Sequence, residues 1–269
     1  MNPLVFNLAF AAYFVATALA LAYLIHRREG LHRMTVLASL GGWVLHTFAL
    51  VLRGVELGGA PLASLPEALS VLVWALVLFT LWAERQYGIK VLSAFVLPVV
   101  LSFSLSTVTL PGSLGDPARA LRSAWISVHV VLALLGMAAF VLNFAGAIMY
   151  LLQEHQLKSK RQGTLYYRLP SLETLDRITF QALTLGFPFL TAGLILGAVW
   201  AGRAWGSLFA PDPLALFSSI AWLIYAATLS ARAVAGWRGR RAAYCAILGF
   251  AVLLLTLSAG FFLPGRHGG

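Results

Sequence analysis

The sequence predicts an all-α fold, a polytopic membrane helix bundle of about eight transmembrane helices. Three observations predict it. Of 269 residues, 60% are hydrophobic and only 10% charged, where a soluble domain carries about 25% charged residues. The mean hydropathy is +0.86. The apolar residues fall in runs near the ~20 residues that a membrane-crossing helix needs, without the alternation of a membrane barrel strand. A chain whose solvent is lipid must satisfy its backbone polar groups internally, so long unbroken runs read as helices.

Eight such runs can be marked: Leu4–Ile25, Met34–Leu52, Ala63–Ala83, Val91–Leu110, Ala124–Leu152, Ile178–Ala201, Leu214–Ser230 and Ala242–Leu263. The first follows Met-Asn-Pro directly, with no basic stretch and no Ala-x-Ala site, and reads as a retained helix. The fifth is long enough to tilt or to project past the membrane. Pro98 and Pro188 lie inside runs and should kink them. Ser171, Glu173 and Thr174 mark a helix start leading into the sixth. Gly193 and Gly197 stand at GxxxG spacing, and Gly136, Gly146 and Gly186 are of the same kind. Small residues so placed let helix backbones approach, and plain packing accounts for them. No extramembrane domain and no internal repeat is visible. Residues 1–269 read as one integral-membrane domain, and an inverted-repeat transporter has little support.

The net charge of +10 would point to nucleic acid in a soluble protein. Here the basic residues sit in short loops, which the positive-inside rule explains without a nucleic-acid partner. One set of loops holds Arg27, Arg28 and Arg33; Arg85 and Lys90; Lys158, Lys160, Arg161, Arg168 and Arg177; and Arg232, Arg238, Arg240 and Arg241. The other holds only Arg53, Arg119, Arg122, Arg203 and Arg266. The first set is therefore read as cytoplasmic. An even number of spans then puts both termini outside, along with the turn after the sixth run. The single cysteine, Cys245, allows no internal disulfide, CxxC pair or CxxCH attachment site. There is no Gly-rich phosphate loop, His-Glu-x-x-His or nucleophile elbow. Glu67, Asp116 and Asp212 have no acid–base spacing. By itself the chain does not read as an enzyme.

The stretch Gly197–Pro213 ends an apolar run in a polar turn and carries Trp200, Trp205, Phe209 and Asp212. It reads either as a headgroup anchor for a helix end or as a flat platform for a planar ligand. Histidines bear on that choice. His26, His32 and His155 fall in basic loops and read as solvated. His46 lies inside the second run, as a structural histidine or an intramembrane ligand. His129, early in the fifth run, and His267, in the C-terminal tail, share the outer side with the aromatic stretch. Imidazole nitrogens can bind haem iron from each face, aromatic rings can cover the porphyrin, and Arg203, Arg266, Arg119 or Arg122 could meet its propionates. On chemistry alone haem is one of several ligands an apolar pocket could take.

Several segments together resemble the CcsA/CcmC/HemX family of cytochrome c assembly proteins. They include SLPEALSVLVWAL (Ser64–Leu76), ERQYGIKVLSAFVLP (Glu84–Pro98), WISVHV (Trp125–Val130), LPSLETLDRI (Leu169–Ile178), GFPFLTAGLILGAVWAGRAWG (Gly186–Gly206) and the C-terminal FFLPGRH. The resemblance covers most of the chain and is nearest to HemX-like and short CcsA-like members. The family hallmark is a tryptophan-rich outer loop, the WWD motif, of the form WGxxWxWDPKE, flanked by two outer histidines that bind haem iron. His129, in its Trp125-x-x-x-His-Val context, and His267, in Leu-Pro-Gly-x-His, match those histidines. Trp205, Gly206, Asp212 and Pro213 match the loop, whereas Phe209 and Pro211 stand where it has Trp, and Leu214 and Ala215 where it has Lys and Glu. A further family histidine, in a Leu-His-x-Arg context, is Ser230 here.

The resemblance implies a haem-handling membrane protein of c-type cytochrome biogenesis, in the cell's inner (plasma) membrane. It would hold b-type, non-covalent haem between His129 and His267, packed by Trp205, Phe209 and Trp200, with Asp212 orienting the loop. Implied partners are a CcsB-type membrane subunit and apocytochrome c, so the chain could serve within a haem–cytochrome c ligation complex. The substitutions shift the reading toward a haem-binding or assembly-accessory member. A second reading is a HemX-like regulator or scaffold of tetrapyrrole metabolism that translocates no haem and works through the basic segment Gln153–Arg177.

Overall fold

Eight helices, and no strand, are found among the described residues of a computed structural model, which are 3–62, 64–109, 124–159, 163, 166–205 and 213–262. The helices are α1 (Pro3–His26), α2 (Glu29–Leu57), α3 (Leu65–Tyr87), α4 (Leu92–Thr109), α5 (Ala124–Lys158), α6 (Leu172–Trp205), α7 (Pro213–Ala235) and α8 (Arg240–Phe262). Seven are long and apolar enough to cross a membrane, and α4 is a shorter apolar helix. Large apolar side chains lie open on the helix surfaces, Leu37 at 67% and Val234 at 90% exposure. In water such a surface would drive association; in a multi-pass membrane protein it is the face toward lipid.

Among the described residues each expected run falls on one helix to within a residue at its ends, but several helices outrun their runs. α2 starts at Glu29, α5 continues to Lys158, and α6 starts at Leu172. Much of the segment 153–177 is therefore helix rather than loop. Hydropathy marks where lipid ends, while Glu, Gln, Lys and Arg sustain a helix in water as well as apolar residues do. α5, with 35 residues, spans about 52 Å at the standard rise, well beyond a hydrocarbon core of ~30 Å. The start of α6 is the expected one, with Ser171 Oγ accepting from the Thr174 N–H at 3.3 Å. α4 and α6 continue through Pro98 and Pro188.

The helices group into two compact units, α1–α4 and α5–α8. In the first, Gly42 of α2 admits a tyrosine from α1, since a Cβ at Gly42 would come within 2.8 Å of the Tyr13 ring. The Tyr13 hydroxyl then reaches His46 Nδ1 at 3.2 Å, and His46 Nε2 meets Ser70 Oγ of α3 at 2.7 Å. A neutral ring donates one of these bonds and accepts the other, so one buried imidazole ties three helices together. Alongside it Trp43 and Trp74 stack with ring centroids 5.4 Å apart, and Trp74 Nε1 donates to Thr47 Oγ1 at 2.8 Å. Lipid provides no hydrophobic drive between helices, so contacts of this kind are what hold them. Carboxylates serve the helix ends. Glu84 accepts from the Ser93 N–H at 2.8 Å at the start of α4, and Glu67 pairs with Arg53 at 2.7 Å. Replacing His46 by Leu leaves the buried Tyr13 hydroxyl without its imidazole partner. We expect a loss of about 1–3 kcal/mol in detergent unfolding, with any bound-haem spectrum unchanged; a changed spectrum would make His46 a ligand.

In the second unit Phe140 of α5 stacks on Tyr225 of α7 with centroids 3.8 Å apart, and Gly249 of α8 leaves room for that tyrosine. Asn143 Nδ2 donates to the Thr179 carbonyl at 2.7 Å, and Trp222 Nε1 to Thr191 Oγ1 at 2.9 Å. Asp176 near the start of α6 takes a two-pronged ion pair from Arg232 of α7, at 2.6 and 3.0 Å, and also accepts from the Gly239 N–H at 2.8 Å. Both side chains are mostly buried, at 11% and 17% exposure.

Candidate functional site

α5 and α6 run antiparallel, and the face between them is made of small residues. Gly146 meets Thr179, Gly136 meets Leu190, Gly193 meets Ala133 and Gly197 meets His129. The GxxxG pair therefore packs helices as expected, but Gly197 does more than that. A Cβ on it would sit 2.7 Å from His129 Cε1 and 3.0 Å from Nδ1. The missing side chain is the seat of the imidazole.

The ring's orientation is also fixed. His129 Nδ1 lies 2.6 Å from the Gly193 carbonyl oxygen. A carbonyl only accepts, so Nδ1 carries the proton, and in the neutral ring Nε2 carries the lone pair. Metal-binding histidines are held in this way, with one nitrogen donating to a carbonyl or carboxylate while the other ligates. One turn before His129, Trp125 is 55% exposed. The Arg203 guanidinium lies 5.4 Å from its ring centroid, a cation–π contact of about 0.5–1 kcal/mol at an exposed position. Trp200, half-buried, stands on α6 between Gly197 and Arg203.

The fold thus gathers Trp125, His129, Gly193, Gly197 and Arg203 at one end of the α5–α6 pair, with Trp200 on the same stretch of α6. Trp205 closes α6, its side chain outside the described residues, as are Phe209, Asp212 and His267. His46 belongs to the first unit, where both ring nitrogens are engaged. The seat itself was not foreseen. Its signal was the matched spacing: Ala133 follows His129 by four residues as Gly197 follows Gly193 by four, so in an antiparallel pair the two steps meet.

Gly197→Ala tests the seat. Alanine favours a helix over glycine by about 1 kcal/mol, so the protein should fold, but the new methyl must displace the imidazole. Loss of support around a ligating histidine costs about 10–100-fold in affinity, so if His129 ligates haem iron, as the resemblance implies, haem titration should show a loss of that order. Unchanged affinity would mean that the ring needs no seat.

Comparison with known proteins identifies this architecture. The model of the family described as cytochrome C assembly protein matches residues 62–265. The chain belongs to that family. The match takes in His129, begins after His46 and ends just short of His267. The cytochrome c biogenesis protein CcsA of Guillardia theta is 35% identical over 241 residues, 82% of this chain and 80% of that protein. CcsA of Gloeobacter violaceus is 32% identical over 97% of this chain and 94% of its own length. Among solved structures, the cytochrome c heme lyase CcmF aligns with a TM-score of 0.60 at 21% identity over 95% of this chain. That likeness is one of fold. This chain spans 44% of CcmF, less than half its length.

Proposed function

We propose that this protein binds haem non-covalently and handles it during c-type cytochrome biogenesis, presenting it at the outer face of the membrane. The observation that carries the reading is the seated imidazole, with Nδ1–H on Gly193 O and the ring against Gly197. The donor set fits the group. An Nε2 lone pair suits iron, Arg203 suits a propionate, and Trp125 and Trp200 offer apolar cover. His129 and His267 would hold the iron, Trp205, Phe209 and Trp200 would pack the porphyrin, and Asp212 would orient the loop between α6 and α7. Haem supplies the iron and the vinyl carbons that a c-type cytochrome joins to its thiols. The chain's own part is to hold and orient the group.

Partners consistent with this role are apocytochrome c and a CcsB-type membrane subunit. The names of the CcsA relatives support the pathway. The excess of Lys and Arg on one set of loops favours an inner-membrane orientation with the His129 end outside. Residues 1–269 are read as one integral-membrane domain, a reading that the single family match over residues 62–265 supports. The test is genetic. In a host lacking this protein, covalent cytochrome c should disappear while total haem persists. The native gene should restore it and His129→Ala should not. Normal cytochrome c with altered total haem would overturn the reading in favour of a tetrapyrrole regulator.

A further inference from the structure

α7 joins α8 through Gly236-Trp237-Arg238-Gly239, a short loop with little freedom. Both glycines have left-handed backbone, φ 65° and 66°. The Trp237 N–H bonds back to the Ala231 carbonyl at 3.2 Å. The Gly239 N–H is held by Asp176, and a Cβ at Gly239 would run into the Tyr150 hydroxyl. The backbone that carries Trp237 and Arg238 is therefore fixed from both sides.

Beside this loop lies an open groove of about 520 Å³, lined by Phe180, Leu229, Ser230, Arg232, Ala233 and Arg238. That volume is in the range of ligand sites. The charges in it are not equivalent. Arg232 is neutralised by Asp176 and lies over the Phe180 ring, 4.2 Å from its centroid. Arg238 is exposed and, among the described residues, has no carboxylate within ion-pair distance. Outside the lining, Arg241 lies 5.7 Å from the Trp237 ring centroid, close to the same loop. The result is an apolar trough whose lining carries two cations, Arg232 and Arg238, and a hydroxyl, Ser230, against the single nearby carboxylate of Asp176, which is bonded to Arg232 and only more distantly attracted by Arg238, with no metal-ligating side chain in the lining. An aromatic next to cations is the usual composition at headgroup depth.

We infer that this groove is a binding site for an anionic phospholipid. The acyl chain lies along Phe180, Leu229 and Ala233, and the headgroup phosphate meets Arg238 and the Ser230 hydroxyl. Charge complementarity selects the occupant. A zwitterionic lipid brings its own cation toward Arg238, whereas phosphatidylglycerol brings none. Basic pockets between membrane helices recognise anionic headgroups in this way, each cation contributing about 1 kcal/mol.

The test titrates the purified full chain, in neutral detergent, with phosphatidylglycerol and with phosphatidylcholine, counting bound lipid by native mass spectrometry. We expect phosphatidylglycerol to be preferred, and Arg238→Gln to weaken it about fivefold with little effect on phosphatidylcholine. Ala233→Trp fills the trough from an exposed position and should reduce phosphatidylglycerol binding with Arg238 intact. Arg33→Gln, a basic residue of the first unit, should change nothing. Equal binding of the two lipids, or unchanged phosphatidylglycerol binding in both groove variants, would overturn the inference. So would competition by soluble glycerol phosphate as strong as by the lipid, since the apolar trough would then have no part.

Discussion

Protein purified in detergent and titrated with haem is expected to lose at least about 100-fold in affinity on His129→Ala. Removing only the support of a metal-binding histidine costs about 10–100-fold, and the ligand itself should cost no less. The expectation rests on how little freedom the ring has. Gly193 O fixes its tautomer at 2.6 Å, and Gly197 leaves room for it alone. Gly197→Ala should therefore show a weaker form of the same defect. His267→Ala should match His129→Ala, because each would remove one axial nitrogen. Should His129→Ala bind haem as the native protein does, the seated imidazole would be a packing feature only.

A loss of stability of about 1.5–3 kcal/mol is expected when Asp176→Ala or Arg232→Ala breaks the two-pronged, part-buried ion pair between α6 and α7. Much of that cost is the penalty for leaving one part-buried charge without its partner, rather than the worth of the pair. Asp176 has a further role, holding the Gly239 N–H at 2.8 Å, so its loss should also loosen the α7–α8 loop. The double variant Asp176→Leu/Arg232→Met removes both charges and should recover most of the loss. Equilibrium unfolding in mixed detergent micelles gives the comparison. Single variants within about 0.5 kcal/mol of the native protein, the scatter of ordinary surface changes, would show that water reaches the pair.

The helices were legible because lipid imposes a simple demand. Every apolar run of spanning length had to be a helix, and each one is. Their ends were less legible, because Glu29 and Gln153 stop the hydropathy signal without stopping the helix. The division into α1–α4 and α5–α8 left no mark in composition, since both halves use the same apolar alphabet. At the candidate site, His129 and the glycines could be singled out by type, but not their meeting, which depends on the register of two helices 64 residues apart in sequence. Asp176 and Arg232 were hidden for the same reason. Each reads alone as a loop-edge charge, and only the packing of α6 on α7 makes them a part-buried pair. His46 reads from sequence as a candidate ligand, and its partners Tyr13 and Ser70 come from two other helices.

The most direct test of the haem-site account is chemical rescue of the imidazole. His129→Gly removes the side chain and leaves a space the size of the ring. In the haem-loaded variant the account predicts a high-spin, five-coordinate spectrum that returns to low-spin and six-coordinate on adding free imidazole, while the His129→Leu variant, its space filled, is not rescued. A low-spin six-coordinate spectrum in His129→Gly without imidazole, identical to that of the native protein, would contradict it.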